Sequence, residues 1–178
     1  GAVAAARVSK SEVVKTDHGV DLHVTVADGR AELVAAKTWE ELDLKEALLK
    51  GLYDQKFSKP FVIQESALPL ILRGFHKEPK ECFLGQAKSG SGKTMAFALS
   101  ILQHVDTSKA ETQAVIVNPA RELAVQNLGV VQALGAVLPE LTIAPAIPEA
   151  VESRERSRGP RERQAKVNAH VVIGTPGR

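Results

Sequence analysis

Apolar residues change their spacing several times along the chain, and each change marks an element. Residues 1–37 are weakly patterned; within them Asp21–Val26 (DLHVTV) alternates as a strand does, ahead of a turn signal at Asp28-Gly29. Order begins at Thr38. Thr38 and Glu41 stand in capping-box spacing and predict a helix start. Leu42, Leu44, Leu48, Leu49 and Leu52 then recur at helical spacing through WEELDLKEALLKGLY, and Lys59-Pro60 breaks the run. A second helix reads FVIQESALPLILRG, with Ile63, Ala67, Leu68 and Ile71 as its buried stripe and Gly74 at its end.

Beyond a charged, proline-bearing loop the signals alternate. ECFLGQA is a short apolar run, followed by a glycine-rich turn and the helix TMAFALSILQHV. QAVIVNP is a β-branched run followed by the helix RELAVQNLGVVQALG. LTIAPAI and HVVIG (His170–Gly174) are further strands. Strands alternating with helices predict an α/β fold with a parallel sheet covered on both faces.

Composition narrows the class without naming a function. The 178 residues are 44% hydrophobic and 25% charged, the balance of an ordinary globular domain, and the net charge is +2. Arg154, Arg156, Arg158, Arg161, Arg163 and Lys166 against Glu152, Glu155 and Glu162 give Val151–Lys166 a net of +3, so the rest of the chain carries −1. A mixed run of this kind reads first as a solvated surface. The single cysteine, Cys82, permits no disulfide within the chain, which fits a reducing compartment, and its apolar surroundings suit a buried small hydrophobe. No apolar run reaches the ~18 residues of a membrane span, and the start GAVAAARVSK lacks the charged region of a signal peptide.

The strongest chemical signal is Ala87–Thr94. Gly90, Ser91 and Gly92 let the backbone curl so that successive N–H groups point inward ahead of a helix, which makes a phosphate site. In such a loop Lys93 reaches the β- and γ-phosphates and the Thr94 hydroxyl holds Mg²⁺, directly or through water. The generic loop places glycine six residues before the lysine, where this chain has Ala87. Upstream lie Trp39, Phe57, Pro60, Ile63 and Gln64. A glutamine amide offers a donor and an acceptor together, so Gln64 suits the N6/N7 edge of adenine, and a nearby aromatic can stack on the base.

These residues together resemble the DEAD-box RNA helicases of superfamily 2. That family's first motif, A-x-x-G-x-G-K-T, matches Ala87–Thr94; its Q motif matches Phe57, Pro60, Ile63 and Gln64, with the isolated upstream aromatic at Trp39 in place of phenylalanine and Lys56 in place of glycine. Motif Ia matches Pro119, Arg121, Glu122, Leu123, Ala124 and Gln126, with Ala120 where threonine is usual, and motif Ib matches Thr175–Arg178. The family's double-glycine element is not recognisable in LTIAPAIPEA.

The resemblance implies a RecA-like P-loop domain, a parallel sheet flanked by helices and incomplete at the C-terminus, over residues 38–178 behind an extension at 1–37. It implies ATP contacts from Trp39, Phe57, Lys59, Gln64, Ala87, Lys88, Ser89, Gly90, Ser91, Gly92, Lys93 and Thr94, with Lys93 and Thr94 in the catalytic role and Mg²⁺ on Thr94. It implies RNA backbone contacts from Pro119, Ala120, Arg121, Glu122, Thr175, Pro176, Gly177 and Arg178. The segments QESALPLIL and ALLKGLY are similar to the nuclear-pore mRNA-export branch, which implies nuclear-pore and export proteins as partners, a nuclear and cytoplasmic location, and a monomer. The alternatives are the translation-initiation branch, another P-loop ATPase, and a truncated RNA- or protein-binding adaptor.

No D-E-A-D or S-A-T string occurs in these residues, so the chain reads as a fragment that binds nucleotide weakly and does not hydrolyse it. The expected outcome for this chain alone is an RNA-stimulated phosphate-release rate at the no-enzyme background; a measurable rate removes the fragment reading.

Overall fold

The computed structural model describes residues 11–15, 21–25, 35–74, 83–147 and 168–176. Cys82, the loop at 75–80, the turn at Asp28-Gly29, the basic run Val151–Lys166, Gly177 and Arg178 lie outside the described residues. The chain divides into two compact units, Gly1–Ser100 and Ile101–Arg178.

In the first unit, β1 (Ser11–Lys15) and β2 (Asp21–Thr25) pair antiparallel, with Ser11 opposite Thr25 and Lys15 opposite Asp21. The single helix expected from Thr38 is instead two pieces. A 3₁₀ turn at Glu40–Leu42 stops at Asp43, whose left-handed backbone (φ 49, ψ 45) ends it. The chain restarts as α1 (Glu46–Asp54), with Leu48, Gly51 and Leu52 buried. The Thr38–Glu41 capping box does not form, because Trp39 and not Thr38 precedes the turn and no side chain caps it. The Glu41 carboxylate instead accepts the Lys37 backbone N–H at 2.8 Å. Tyr53 Oη donates to Glu40 Oε1 at 2.6 Å, tying α1 back to the turn. That bond holds the Glu40 carboxyl below the usual carboxylate range and pushes the Tyr53 phenol up.

The second expected helix forms as α2 (Val62–Gly74). Pro69 lies inside it. Proline has no N–H to give the carbonyl four residues back, and that carbonyl, on Glu65, accepts the Ala36 N–H at 2.9 Å instead. The proline thus frees an acceptor that anchors the incoming chain. Ile63 and Ala67 form a small core with Leu70, Ile71, Phe83 and Ala87 packed on it. Of the run Glu81–Ala87, expected as a strand, the described residues Phe83–Ala87 take no strand pairing. A strand persists only against a ladder partner, and among the described residues this run has none. The helix α3 (Lys93–His104) follows, burying Met95, Ala96, Ala98, Leu99 and Leu102.

The second unit is built on β3 (Ala114–Val117), α4 (Arg121–Gly135), β4 (Ile143–Ala146) and β5 (Val171–Gly174). The strands form a parallel sheet in the order β3-β5-β4. Ile116 stands beside Ile173 in register, and both are buried. Helix α4 packs on β5 and buries Ala124, Val131 and Leu134. The alternate residues of β3, Val115 and Val117, are 63% and 65% exposed.

Both ends of this sheet are tied by side chains. At the start, His170 Nδ1 accepts the Thr142 N–H at 2.9 Å, which fixes its proton on Nε2, while its carbonyl accepts from Gln113 and Ala114. At the far end, a Cβ added to Gly174 would lie 2.3 Å from the Ala146 carbonyl oxygen, a backbone atom that cannot swing aside. Gly174→Ala is therefore expected to destabilise the fold by about 1–3 kcal/mol, the usual cost of overpacking. Chemical denaturation should show a lower midpoint at unchanged slope.

Candidate functional site

Two groups of residues singled out by the sequence are assembled here, one in each unit. The first begins at Pro60, which is buried, and at Phe61, the residue before α2. The Phe61 carbonyl accepts the backbone N–H groups of Gln64 (2.7 Å) and Glu65 (2.9 Å), and the Phe61 N–H donates to Gln64 Oε1 at 2.9 Å. This is the glutamine half of a capping box; phenylalanine has no oxygen to supply the other half. The other end of the same amide, Nε2, donates to the Gly92 carbonyl at 3.1 Å. Gln64 is 0% exposed. Its orientation is set by its partners, since only the oxygen can meet an N–H and only the nitrogen a carbonyl.

The phosphate loop is thereby held from α2. Gly90 and Gly92 have φ of 77 and 93, the positive values that let the loop reverse. At Gly92 there is also no room: an added Cβ would sit 2.6 Å from Gln64 Nε2 and 2.9 Å from Phe61 Cδ2. Lys93 Nζ turns back into the loop and donates to the Ala87 carbonyl and, at 2.7 Å, to the Lys88 carbonyl. Lys88 and Ser89 are exposed, and Thr94 is half-buried at the first turn of α3. The Ser91 hydroxyl is buried with no hydrogen-bond partner. An orphaned hydroxyl inside a glycine-bounded loop, at a helix start, fits a phosphate oxygen.

Trp39 occupies a different place from the one a stacking residue needs. It is 0% exposed, and its indole N–H donates to the Phe57 carbonyl at 2.9 Å. The ring is enclosed, and Phe57 is half-buried. Lys59 is exposed.

The second group lies at the C-terminal ends of β3 and β5, where parallel α/β sheets carry their ligand sites. Ala120 precedes α4 in an extended conformation (φ −137, ψ 154) and offers no side-chain cap. The first-turn N–H groups of α4 therefore look outward beside the exposed side chains of Arg121 and Glu122. Pro119 is exposed. Asn118, which sequence reasoning passed over, is buried and joins the two motifs. Its N–H donates to the Gly174 carbonyl at 2.8 Å, its Nδ2 reaches the same oxygen at 3.3 Å, and its Oδ1 accepts from Asn127. Thr175 donates its N–H to the Ala146 carbonyl at 3.4 Å, and Pro176 is exposed beside it. Phe61, Asn118 and Asn127 were all missed. An Asn-Pro pair after a strand was the available signal for Asn118, and an aromatic where a helix cap belongs was the signal for Phe61.

A glycine-turned loop held by a buried amide, in a chain with a parallel sheet and helix-start motifs, defines a P-loop protein of the α/β class. The family profile described as "DEAD/DEAH box helicase" matches residues 61–178, and the chain belongs to that family. It is 45% identical over 151 residues to the ATP-dependent RNA helicase dbp5 of Botryotinia fuckeliana, an alignment covering 84% of this chain and 29% of that protein. Among solved structures it is similar to S. cerevisiae Dbp5 bound to RNA and ADP BeF3, with 41% identity and a TM-score of 0.66 over 80% of this chain and 32% of the other. It is also similar to a variant of S. cerevisiae Dbp5 bound to Nup159, Gle1, IP6 and ADP, with 39% identity and a TM-score of 0.60 over 75% and 32%. The chain thus spans well under half the length of the relatives it matches.

The Trp39–Phe57 bond yields a prediction. Trp39→Phe removes the donor and part of the buried ring volume, and should cost about 1–3 kcal/mol of stability, the lost bond and the cavity together. A thermal or urea melt of the variant checks this; an unchanged midpoint shows that the bond contributes nothing.

Proposed function

We propose that this chain forms the ATP-binding and part of the RNA-binding surface of an ATP-dependent RNA helicase that works in mRNA export. The observation that carries the reading is the Gln64 amide, which spans the cap of α2 and the Gly92 carbonyl of the phosphate loop. It puts a donor–acceptor pair suited to adenine against the loop suited to phosphate.

In this reading Ser91, Gly90 and Gly92 supply the phosphate cradle. Lys93 exchanges two loop carbonyls for phosphate oxygens, a trade of neutral acceptors for charged ones that strengthens its bonds. Thr94 is the residue that would hold Mg²⁺, and the ion would neutralise charge on the phosphates. Among the described residues no group of three His, Cys, Asp or Glu could hold a metal by itself, so the site suits an ion brought in with a nucleotide. Arg121, the first-turn N–H groups of α4, and Thr175 with Pro176 suit RNA phosphates; Gly177 and Arg178, which the resemblance adds, lie outside the described residues. Such contacts hold a strand without reading its sequence. The domain reading, an extension at 1–37 ahead of a RecA-like unit at 38–178, is part of the same proposal.

Because relatives of this kind have been solved with RNA and ADP BeF3, and with Nup159 and Gle1, we take RNA and these nuclear-pore proteins as the partners of the whole protein. Its place is then the nuclear pore, between nucleus and cytoplasm.

The test is nucleotide competition. ATP is expected to displace a fluorescent adenine nucleotide at least about tenfold better than GTP, in line with the ~1–3 kcal/mol that a bidentate base contact discriminates. Lys93→Ala should abolish the displacement. Equal competition by ATP and GTP would mean that Gln64 does not read the base and would remove the helicase-type site.

A further inference from the structure

Phe61 has no structural reason to be an aromatic. It holds the position before α2, where Ser, Thr, Asp or Asn side chains cap a helix and phenylalanine gives nothing. It is not core either, since it is 53% exposed while Ile63 and Ala67 one turn on are buried. Yet its ring is placed. Phe61 Cδ2 and Gln64 Nε2 converge on one face of Gly92, 2.9 Å and 2.6 Å from where a Cβ would project. The residue's own N–H holds the Gln64 oxygen. An exposed ring therefore flanks the one buried amide that faces the phosphate loop.

We propose that Phe61 is a nucleotide-contacting residue whose ring packs against the adenosine portion of the bound nucleotide. The proposal rests on the nucleotide reading above. An aromatic face beside a base-reading amide gains both apolar burial and ring contact when a purine nucleoside arrives. The cap position fixes the backbone of Phe61, so no backbone ordering is left to oppose binding. The residue is 53% exposed, which is surface a nucleoside would cover.

The experiment compares ATP, ADP and inorganic tripolyphosphate on the whole chain by calorimetric titration. Phe61→Ala should weaken ATP and ADP by about three- to tenfold, the range for one aromatic contact, and leave tripolyphosphate unchanged. Phe61→Tyr should restore ATP binding. Phe61→Ser serves as the folding control. It supplies the missing cap, so it should raise the melting temperature while still losing ATP affinity. Phe61→Trp adds a fluorescence readout, because Trp39 is enclosed and its emission should not respond to ligand. Wild-type affinity for ATP in Phe61→Ala overturns the proposal. Equal weakening of ATP and tripolyphosphate also overturns it, since the ring would then support the loop and not the nucleoside. A wild-type chain that binds neither ligand overturns the nucleotide reading itself.

Discussion

A buried carboxamide must spend its hydrogen-bonding groups on the protein or on a ligand, because leaving them unpaired costs about 1–3 kcal/mol each. Gln64 spends its oxygen on the Phe61 N–H and its nitrogen on the Gly92 carbonyl, and much of the first unit follows from that choice. The oxygen starts α2 where phenylalanine cannot. The nitrogen fixes the phosphate loop to that helix across a gap in sequence. Gly92 must be glycine for two reasons at once, its φ of 93 and the amide pressed against its α-carbon. The same amide is the group best suited to an adenine edge. A base at this site competes for an amide that already holds the loop, so base recognition and loop geometry are coupled through one side chain.

The second unit uses asparagine in a comparable way. Asn118 ends β3 with two bonds to the Gly174 carbonyl, and Asn127 on the following helix fixes its oxygen. The exits of β3 and β5 are thereby locked side by side. The helix start at Arg121 and the turn at Thr175 issue from those exits. At the opposite end, His170 gathers the beginnings of β3 and β4 through its carbonyl and its ring. The strands are short, so these side-chain ties supplement ladders of only a few bonds.

Much of this was legible in the sequence. The span of α4 from Arg121 to Gly135 follows from its apolar period and final glycine, and β3, β4 and β5 fall inside their β-branched or apolar runs. What escaped was set by single local events. Thr38 and Glu41 have capping-box spacing, but the helix they would start is cut by Asp43 in a left-handed conformation, which no periodicity reveals. Pro69 looks like a helix breaker, yet its missing N–H is matched by a bond from Ala36 to Glu65 that only the tertiary fold supplies. The run Glu81–Ala87 has the apolar character of a strand, but strand character becomes a strand only with a partner. At the site, residue types were readable and their partners were not. Trp39, expected among the ATP contacts, is an enclosed donor to Phe57. Phe61 was passed over because no motif names it.

The loop geometry also bears on how a phosphate site can be stable without its ligand. An ammonium and a ring of inward N–H groups with nothing to bind would strain the loop through mutual repulsion. Here Lys93 is folded onto the carbonyls of Ala87 and Lys88, and Gln64 covers Gly92. Ser91 alone is left with a buried hydroxyl and no partner. A ligand that displaces these bonds gains only the difference between its own bonds and theirs. That difference is larger for a multiply charged phosphate than for a neutral acceptor, because its oxygens carry charge opposite to the ammonium's. On the proposed reading, the bonds that Lys93 and Gln64 give up lower the affinity of every ligand alike; selectivity for phosphate would rest on the charge its oxygens bring to Lys93, and selectivity for the base on its match to the Gln64 donor and acceptor.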